Sequence, residues 1–188
     1  MSSTRIGFGC GGLMREQSRT RRWAVLAAAL DEGIKHFDVA RMYGLGAAEA
    51  ELGRFAKGRR DDFVIATKFG IEPSRAPGYL ARIQGPARML MARYPALRSY
   101  VKRRSGVLYQ PRRYDAASAR RSLETSLREL AMDYVDILLL HDPSPQDQVD
   151  VPGIGAYLEG AVTAGYIRAW GVAGELDPCL EIRQNMPD

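Results

Sequence analysis

The chain has 188 residues, 46% of them hydrophobic, and a net charge of +5, so it holds enough apolar material for a single folded domain spanning 1–188 and is not a disordered chain. Its two cysteines, Cys10 and Cys179, lie at opposite ends of the chain in no metal-ligand spacing, so the sequence indicates neither a disulfide framework nor a zinc site and favours a reducing, cytoplasmic location. We expect neither secretion nor a membrane span, because no signal-like start is present and no stretch approaches the ~20 apolar residues that a span needs.

The positive charge is concentrated in one segment. Residues 71–114 contain ten Lys or Arg residues and a single acid, Glu72, whereas the rest of the chain is richer in acids than in bases. This distribution argues against nucleic-acid binding by the whole protein and points to a local basic insertion.

Short apolar runs alternate with helical patterns along the chain. The runs predict five strands, at 5–12, 34–40, 63–70, 134–141 and 166–174. Between them, apolar residues at helical spacing predict four helices: 23–30 before Gly33, 48–55 before Gly58, 119–130 after an N-cap at Asp115, and 154–162 before Gly165. Strands that alternate with helices predict a parallel sheet of the α/β class. The pattern alone does not distinguish an open sheet from a closed barrel.

Three chemically apt side chains stand at successive strand ends. Asp38, Lys68 and His141 close the second, third and fourth strands, and Tyr43 follows Asp38 in the next loop. In parallel α/β folds the carboxyl ends of the strands carry the chemistry. A carboxylate can hold an ammonium beside a phenol, and the ammonium then prepares the phenol to donate a proton to a carbonyl oxygen. A neutral imidazole can orient that carbonyl.

Each of these residues also has an ordinary structural interpretation. Asp38 could cap a loop, Lys68 could be a surface lysine, Tyr43 could serve packing, and His141 could be a loop residue. Their joint placement at one edge favours a catalytic cluster. We interpret His36, at the start of its strand, as structural.

The motifs that carry these residues resemble the aldo-keto reductases. They are IGFGCGGL, FDVARMYGLGAAEAELG, ATKFG, RRSLETSLRELAMDYVDILLLH and IRAWGVAG, between Ile6 and Gly174. The resemblance implies a TIM-type (β/α)8 barrel, a catalytic tetrad at Asp38, Tyr43, Lys68 and His141, and hydride transfer from NADPH to an aldehyde or ketone. It also implies that Gly9, Cys10, Ala173 and Gly174 bind the NADP cofactor, and it implies no metal.

Two features depart from the family pattern. Ala173 and Gly174 stand where the family commonly has a serine followed by Asn or Gly, so one hydroxyl contact to the nicotinamide is absent. The five predicted strands represent a barrel truncated from eight. We therefore expect impaired activity, weak NADPH binding by this chain alone, and two sheet edges that a second chain would cover.

The insertion 71–114 joins the same rim as the tetrad, and we expect it to cover the active site. Three interpretations of this insertion remain: a solvated basic lid, a site for an anionic substrate or cofactor phosphate, or a nucleic-acid or membrane-surface patch. The function predicted overall is NADPH-dependent reduction of a small-molecule carbonyl, with no nucleic-acid partner. The alternative is a non-catalytic barrel with a binding or regulatory role.

Overall fold

The computed structural model describes residues 5–74 and 109–184 of the chain. Five strands form one parallel sheet in the order β1-β2-β3-β4-β5. Their bounds are β1 Gly7–Gly9, β2 His36–Asp38, β3 Val64–Phe69, β4 Val135–His141 and β5 Ile167–Ala173. The α/β class and the five parallel strands predicted from the sequence are confirmed.

Helices follow each strand or lead into the next one. They are α1 Arg19–Asp31, α2 Ala47–Ala56, α3 Ala116–Leu130, α4 Val151–Thr163 and α5 Leu176–Gln184, with short 3₁₀ segments at Cys10–Arg15, Tyr43–Gly46 and Arg60–Asp62. The predicted cap is present, because the Asp115 carboxylate accepts a hydrogen bond from the Ser118 amide at 2.6 Å. Ser18 and Asp150 cap α1 and α4 in the same way.

The first strand is shorter than predicted. The run 5–12 was expected to be extended throughout, but the chain turns into the 3₁₀ segment at Cys10. The physical reason lies in the pairing: Gly9 is opposite Asp38, the last residue of β2, so beyond Gly9 no neighbouring strand remains to bond the backbone. The prediction was therefore wrong for residues 10–12. It was also wrong for residues 5–6 and, in the second predicted strand, for residues 34–35 and 39–40.

The core lies between the sheet and its helices. Its largest fully buried side chains come from every strand from β2 to β5 and from α1 to α4; they include Phe37, Ile65, Leu138, Ile167, Leu26, Leu52, Leu123 and Leu158. Two helices approach at backbone distance, since a Cβ placed on Gly53 of α2 would lie 2.2 Å from the carbonyl oxygen of Leu130 in α3. Removal of these apolar side chains from water is the main contribution that stabilises the packing of the helices on the sheet.

The outer strands have one neighbour each among the described strands. β1 pairs with β2, and β5 pairs with β4, while Arg168 and Ala169 of β5 are exposed. Within residues 5–74 and 109–184, no helix has the length and apolar character to cross a membrane. Most of the predicted basic insertion, residues 75–108, lies outside the described residues.

Candidate active site

The four residues of the predicted tetrad meet at the carboxyl edge of the sheet. Asp38 ends β2, Lys68 is the penultimate residue of β3, and His141 ends β4. Tyr43 stands in the 3₁₀ turn that follows β2. The strand-end argument from the sequence thus placed all four side chains in one cluster.

Lys68 is the centre of this cluster. Its side chain is almost fully buried, and its ammonium Nζ donates to the Asp38 carboxylate, to the Val39 carbonyl at 3.1 Å and to the Tyr43 hydroxyl at 3.3 Å. The carboxylate compensates the buried positive charge, which would otherwise be costly. The ammonium is therefore held in a fixed place beside the phenol oxygen.

The turn that carries Tyr43 has an unusual backbone. Gly44, Leu45 and Gly46 all adopt the left-handed region, with φ of 61°, 55° and 91°. A Cβ on Gly44 would also lie 2.4 Å from the Met14 side chain. The glycines of the YGLG stretch thus suit the left-handed turn that directly follows Tyr43.

A buried ionic network holds the same loop. Arg41 pairs with Glu49 of α2 and, at 3.2 Å, with Glu72 after β3, while Thr67 of β3 donates to Glu49 at 2.6 Å. Glu49 is fully buried, and the carboxylates keep the pKa of Arg41 above its ordinary value although burial alone would lower it. Sequence reasoning missed this network; its signal is Glu49, one of two glutamates that α2 buries beside small and apolar residues.

His141 lies against Tyr43 and is 8% exposed. The two rings meet edge to face, with centroids 5.7 Å apart and an interplanar angle of 87°. Burial, reinforced by the positive charge of Lys68, lowers the pKa of His141 from 6.5 to about 4. The imidazole is therefore neutral near pH 7, as the orienting role predicted for it requires.

A cavity of about 780 Å³ opens above this cluster. Its lining includes Tyr43, Lys68 and His141 from the tetrad, and Ala173 and Gly174 from the end of β5. Ligand pockets commonly have volumes of ~300–1,000 Å³, so the cavity can take a small ring and a substrate carbonyl together. Ala173 and Gly174 are placed where they could contact a cofactor.

Gly9 and Cys10, the other two residues predicted to bind the cofactor, do not line this cavity. The Cys10 side chain is fully buried, and burial together with the Asp38 carboxylate raises the pKa of its thiol to about 12. A contact of either residue with a cofactor stays a prediction.

The described end of the basic insertion forms one wall of the cavity. Tyr109, Gln110, Pro111 and Arg112 line it, and Tyr114 behind them bonds to the backbone of β4. Sequence reasoning grouped these residues with a basic lid and assigned them no individual role. Their position directly before the Asp115 cap of α3 was the signal that they return to the rim.

The arrangement suits proton donation to a carbonyl oxygen. A phenol held 3.3 Å from a buried ammonium, beside a neutral imidazole and facing a cavity, combines an acid with a second hydrogen-bonding group. The described residues offer no cluster of His, Cys, Asp and Glu suited to a metal.

Comparison with known proteins extends over most of the chain. The family model of the aldo/keto reductase family matches residues 5–177. D-threo-aldose 1-dehydrogenase from a Pseudomonas species is 31% identical over 185 residues, which cover 93% of this chain and 51% of that protein. The chain thus spans about half the length of this relative.

Solved structures agree with the fold. An aldo-keto reductase from Bacillus halodurans in its holo form superposes with a TM-score of 0.75 at 21% identity, covering 100% of this chain and 52% of that one. An aldo-keto reductase from Klebsiella pneumoniae in complex with NADPH gives a TM-score of 0.68 at 24% identity, with coverage of 99% and 51%. The five-stranded sheet is therefore one part of the barrel fold of these enzymes, and the chain belongs to the aldo/keto reductase family.

Proposed function

We propose that this chain carries the catalytic residues of an NADP-dependent carbonyl reductase, which interconverts an aldehyde or ketone and the corresponding alcohol. The observation that carries the proposal is the line of contacts from Asp38 through Lys68 to the Tyr43 hydroxyl, with His141 beside it at the floor of the cavity. A bound reduced nicotinamide would supply the hydride that the carbonyl carbon accepts.

Tyr43 is the proton donor in this proposal. As the carbonyl carbon gains hydride, negative charge develops on its oxygen, and the phenol O–H transfers its proton there to complete the alcohol. The Lys68 ammonium stabilises the phenolate that remains, and Asp38 keeps that ammonium charged and oriented. In the direction of alcohol oxidation the same phenolate accepts the proton.

His141 orients the carbonyl. Because burial holds its pKa near 4, its neutral ring presents one N–H donor to the cavity rather than a second positive charge beside Lys68. A donor fixed near the carbonyl oxygen stabilises the charge that develops there during hydride transfer.

The small residues at the end of β5 fit a flat ring. Ala173 and Gly174 leave the adjacent wall of the cavity free of bulky side chains, and we assign the nicotinamide to this wall. Both cations among the described lining residues, Lys68 and Arg112, already pair with carboxylates. A cofactor phosphate must therefore find its cations outside these two residues.

The substrate class follows from the relatives and the cavity. An aldose is the substrate that the name of the Pseudomonas relative gives, and the Klebsiella relative binds NADPH. A volume of about 780 Å³ with a mixed polar lining accommodates a small sugar or aldehyde beside the nicotinamide. We therefore propose aldoses and other small aldehydes as substrates.

The free side of β5 belongs to the same proposal. Edge strands present unpaired backbone groups, and β5 has its described neighbour on one side only. We propose that further barrel strands cover this free side of β5. In a solution of this chain alone, a second copy of the chain would supply them. Sedimentation of the 188-residue chain should then give a species larger than the monomer of 20.8 kDa, and a monomer at all concentrations would contradict this part.

The test of the reaction is transfer of deuterium from 4-deuterated NADPH to a panel of aldehydes that includes aldoses, with the labelled alcohol detected by mass spectrometry. The Tyr43→Phe variant removes only the proton donor and should lose about a hundredfold or more in rate. Tyr166→Phe, at an exposed tyrosine before β5, is the matched control and should transfer normally.

Equal rates for the wild type and Tyr43→Phe would refute the proposed acid. No transfer by either protein, with circular dichroism showing both folded, would favour the non-catalytic alternative, a barrel that binds or regulates.

A further inference from the structure

Residues 109–114, which we call the strap, cross the carboxyl ends of β3 and β4. On the β3 side, the Gln110 amide donates to the Glu72 carbonyl at 2.9 Å and the Arg113 amide to the Gly70 carbonyl at 3.0 Å. On the other side, the Tyr114 carbonyl accepts a bond from the Asp150 amide at 3.0 Å. Backbone bonds thus fix the strap to the segment that follows β3 and to Asp150, the N-cap of α4.

Tyr114 is the buried residue of the strap. Its side chain is 2% exposed, and its ring lies directly on Gly70, where a Cβ would come within 2.1 Å of a ring carbon. Gly70 has a φ of 107°, which ends the extended course of β3. The Tyr114 hydroxyl donates to the carbonyl oxygen of His141 at 2.6 Å, and burial raises the pKa of the phenol above its usual range, so it stays a donor.

This hydroxyl takes the place of a missing strand partner. The ladder between β3 and β4 ends with Phe69 opposite Leu140, one residue before His141. The Asp142 amide donates to Ala173 of β5, and because a trans peptide directs its C=O and N–H to opposite sides, the His141 carbonyl points towards β3. No β3 amide remains there, and Tyr114 satisfies the carbonyl instead.

Arg112 supports the next peptide. Its guanidinium donates to the Asp142 carbonyl at 2.5 Å and pairs with the carboxylates of Asp142 and Asp147 at 3.3 Å. Asp142 has a φ of 52°, a left-handed conformation that a non-glycine residue adopts at a cost. Because Arg112 is partly exposed, its ion pairs contribute less than the buried bond from Tyr114.

The imidazole of His141 depends on this backbone anchor. Its Nδ1 is buried and has no hydrogen-bond partner among the described residues, so that nitrogen does not orient the ring. The ring is otherwise placed by its edge-to-face contact with Tyr43. The position of the His141 backbone therefore determines where the imidazole sits in the cavity.

We propose that Tyr114 is a positioning residue for His141: its hydroxyl anchors the His141 carbonyl at the end of β4 and so holds the imidazole against Tyr43. The catalytic consequence rests on the proposed function, whereas the positioning itself is a property of the fold. Removing the hydroxyl leaves a buried carbonyl without its donor, and the strand end must open to satisfy it with water.

The test is nuclear magnetic resonance of the full chain without cofactor or substrate, comparing the wild type with Tyr114→Phe. The chain has two histidines, so His36 is an internal control for His141. The groups that face the imidazole are Lys68, Asp38, Tyr43 and Arg112, and the substitution removes none of these side chains.

In Tyr114→Phe, the titration midpoint of His141 should rise by about half a pH unit or more as water enters, while the ring resonances of His36 measured at one fixed pH stay where they are in the wild type. Exchange of the Asp142 amide should accelerate about fivefold to tenfold.

Tyr134→Phe is the matched control variant, because it removes a tyrosine hydroxyl bonded to Arg168 just before the opposite end of β4. It should leave His141 unchanged. If Tyr114→Phe does not move His141, or if Tyr134→Phe moves it equally, the proposal is overturned.

A measurement on the wild type alone covers the case in which Tyr114→Phe does not fold. The Tyr114 hydroxyl proton should exchange slowly with solvent, because it is buried and donated to the His141 carbonyl; exchange at the solvent rate would overturn the proposal.

Catalysis gives a separate readout where deuterium transfer is measurable. Tyr114→Phe should raise the KM for the aldehyde about tenfold and leave the dissociation constant of NADPH unchanged. Unchanged kinetics together with an altered His141 titration would contradict the catalytic consequence and leave the positioning intact. A chain without any transfer activity would contradict the proposed function, while the resonance data still decide the role of Tyr114.

Discussion

Acid should destabilise this protein through His141. The folded protein takes up a proton on His141 only near pH 4, whereas an unfolded chain does so near pH 6.5. Between these values the unfolded state binds more protons, so the free energy of unfolding falls as the pH falls from 6.5 to 4. Well above pH 6.5 both states are neutral at this residue and it has no effect.

The size of the effect follows from the two pKa values. Relative to neutral pH, the loss amounts to about 1.4 kcal/mol at pH 5.5 and about 2.5 kcal/mol at pH 4.5. This is a large part of the ~5–15 kcal/mol that stabilises a typical domain. Asp115 and Asp147 have lowered pKa values, so their own contributions are lost only in stronger acid.

Urea unfolding followed by tryptophan fluorescence at about pH 7.5, 5.5 and 4.5 measures this loss. The comparison is with His141→Gln, which keeps a polar side chain but cannot titrate. The wild type should lose about 2.5 kcal/mol more than the variant between the extremes. Parallel losses would refute the reasoning, because they would mean that His141 titrates alike in the folded and unfolded states.

Two further predictions concern packing and charge. Gly53→Ala should reduce the free energy of unfolding by about 1–3 kcal/mol, because the added Cβ would collide with the backbone of α3. Gly160→Ala is the control: its added Cβ meets nothing within 4 Å, so it should leave the free energy of unfolding unchanged or raise it by under about 1 kcal/mol. Glu49→Gln should cost about 3 kcal/mol, since it weakens the buried pairing of Arg41, whereas the exposed Glu124→Gln should change little. The urea midpoints of the four variants test both predictions. Equal midpoints for the two glycine variants would contradict the packing argument, and equal midpoints for the two glutamate variants would contradict the charge argument.

Several features followed from the amino-acid sequence because they depend on near neighbours. Alternating apolar runs predicted the five strands, the Asp115 cap predicted the start of α3, and the carboxyl-end rule brought Asp38, Lys68 and His141 to one edge. Periodicity and capping are local properties of the backbone, and the parallel order of strands then follows from right-handed connections. The cluster around Lys68 was predictable for this reason.

Other features were decided by tertiary structure alone. The end of β1 at Gly9 depends on where β2 stops, and the contact of Tyr114 with the His141 carbonyl joins residues 27 positions apart. The Arg41 network likewise links two loops, a helix and a strand, whose approach depends on the twist of the sheet and the packing of α2. Local sequence specifies which elements form; which side chains meet depends on how those elements pack, because a contact across the sheet is a property of both partners at once.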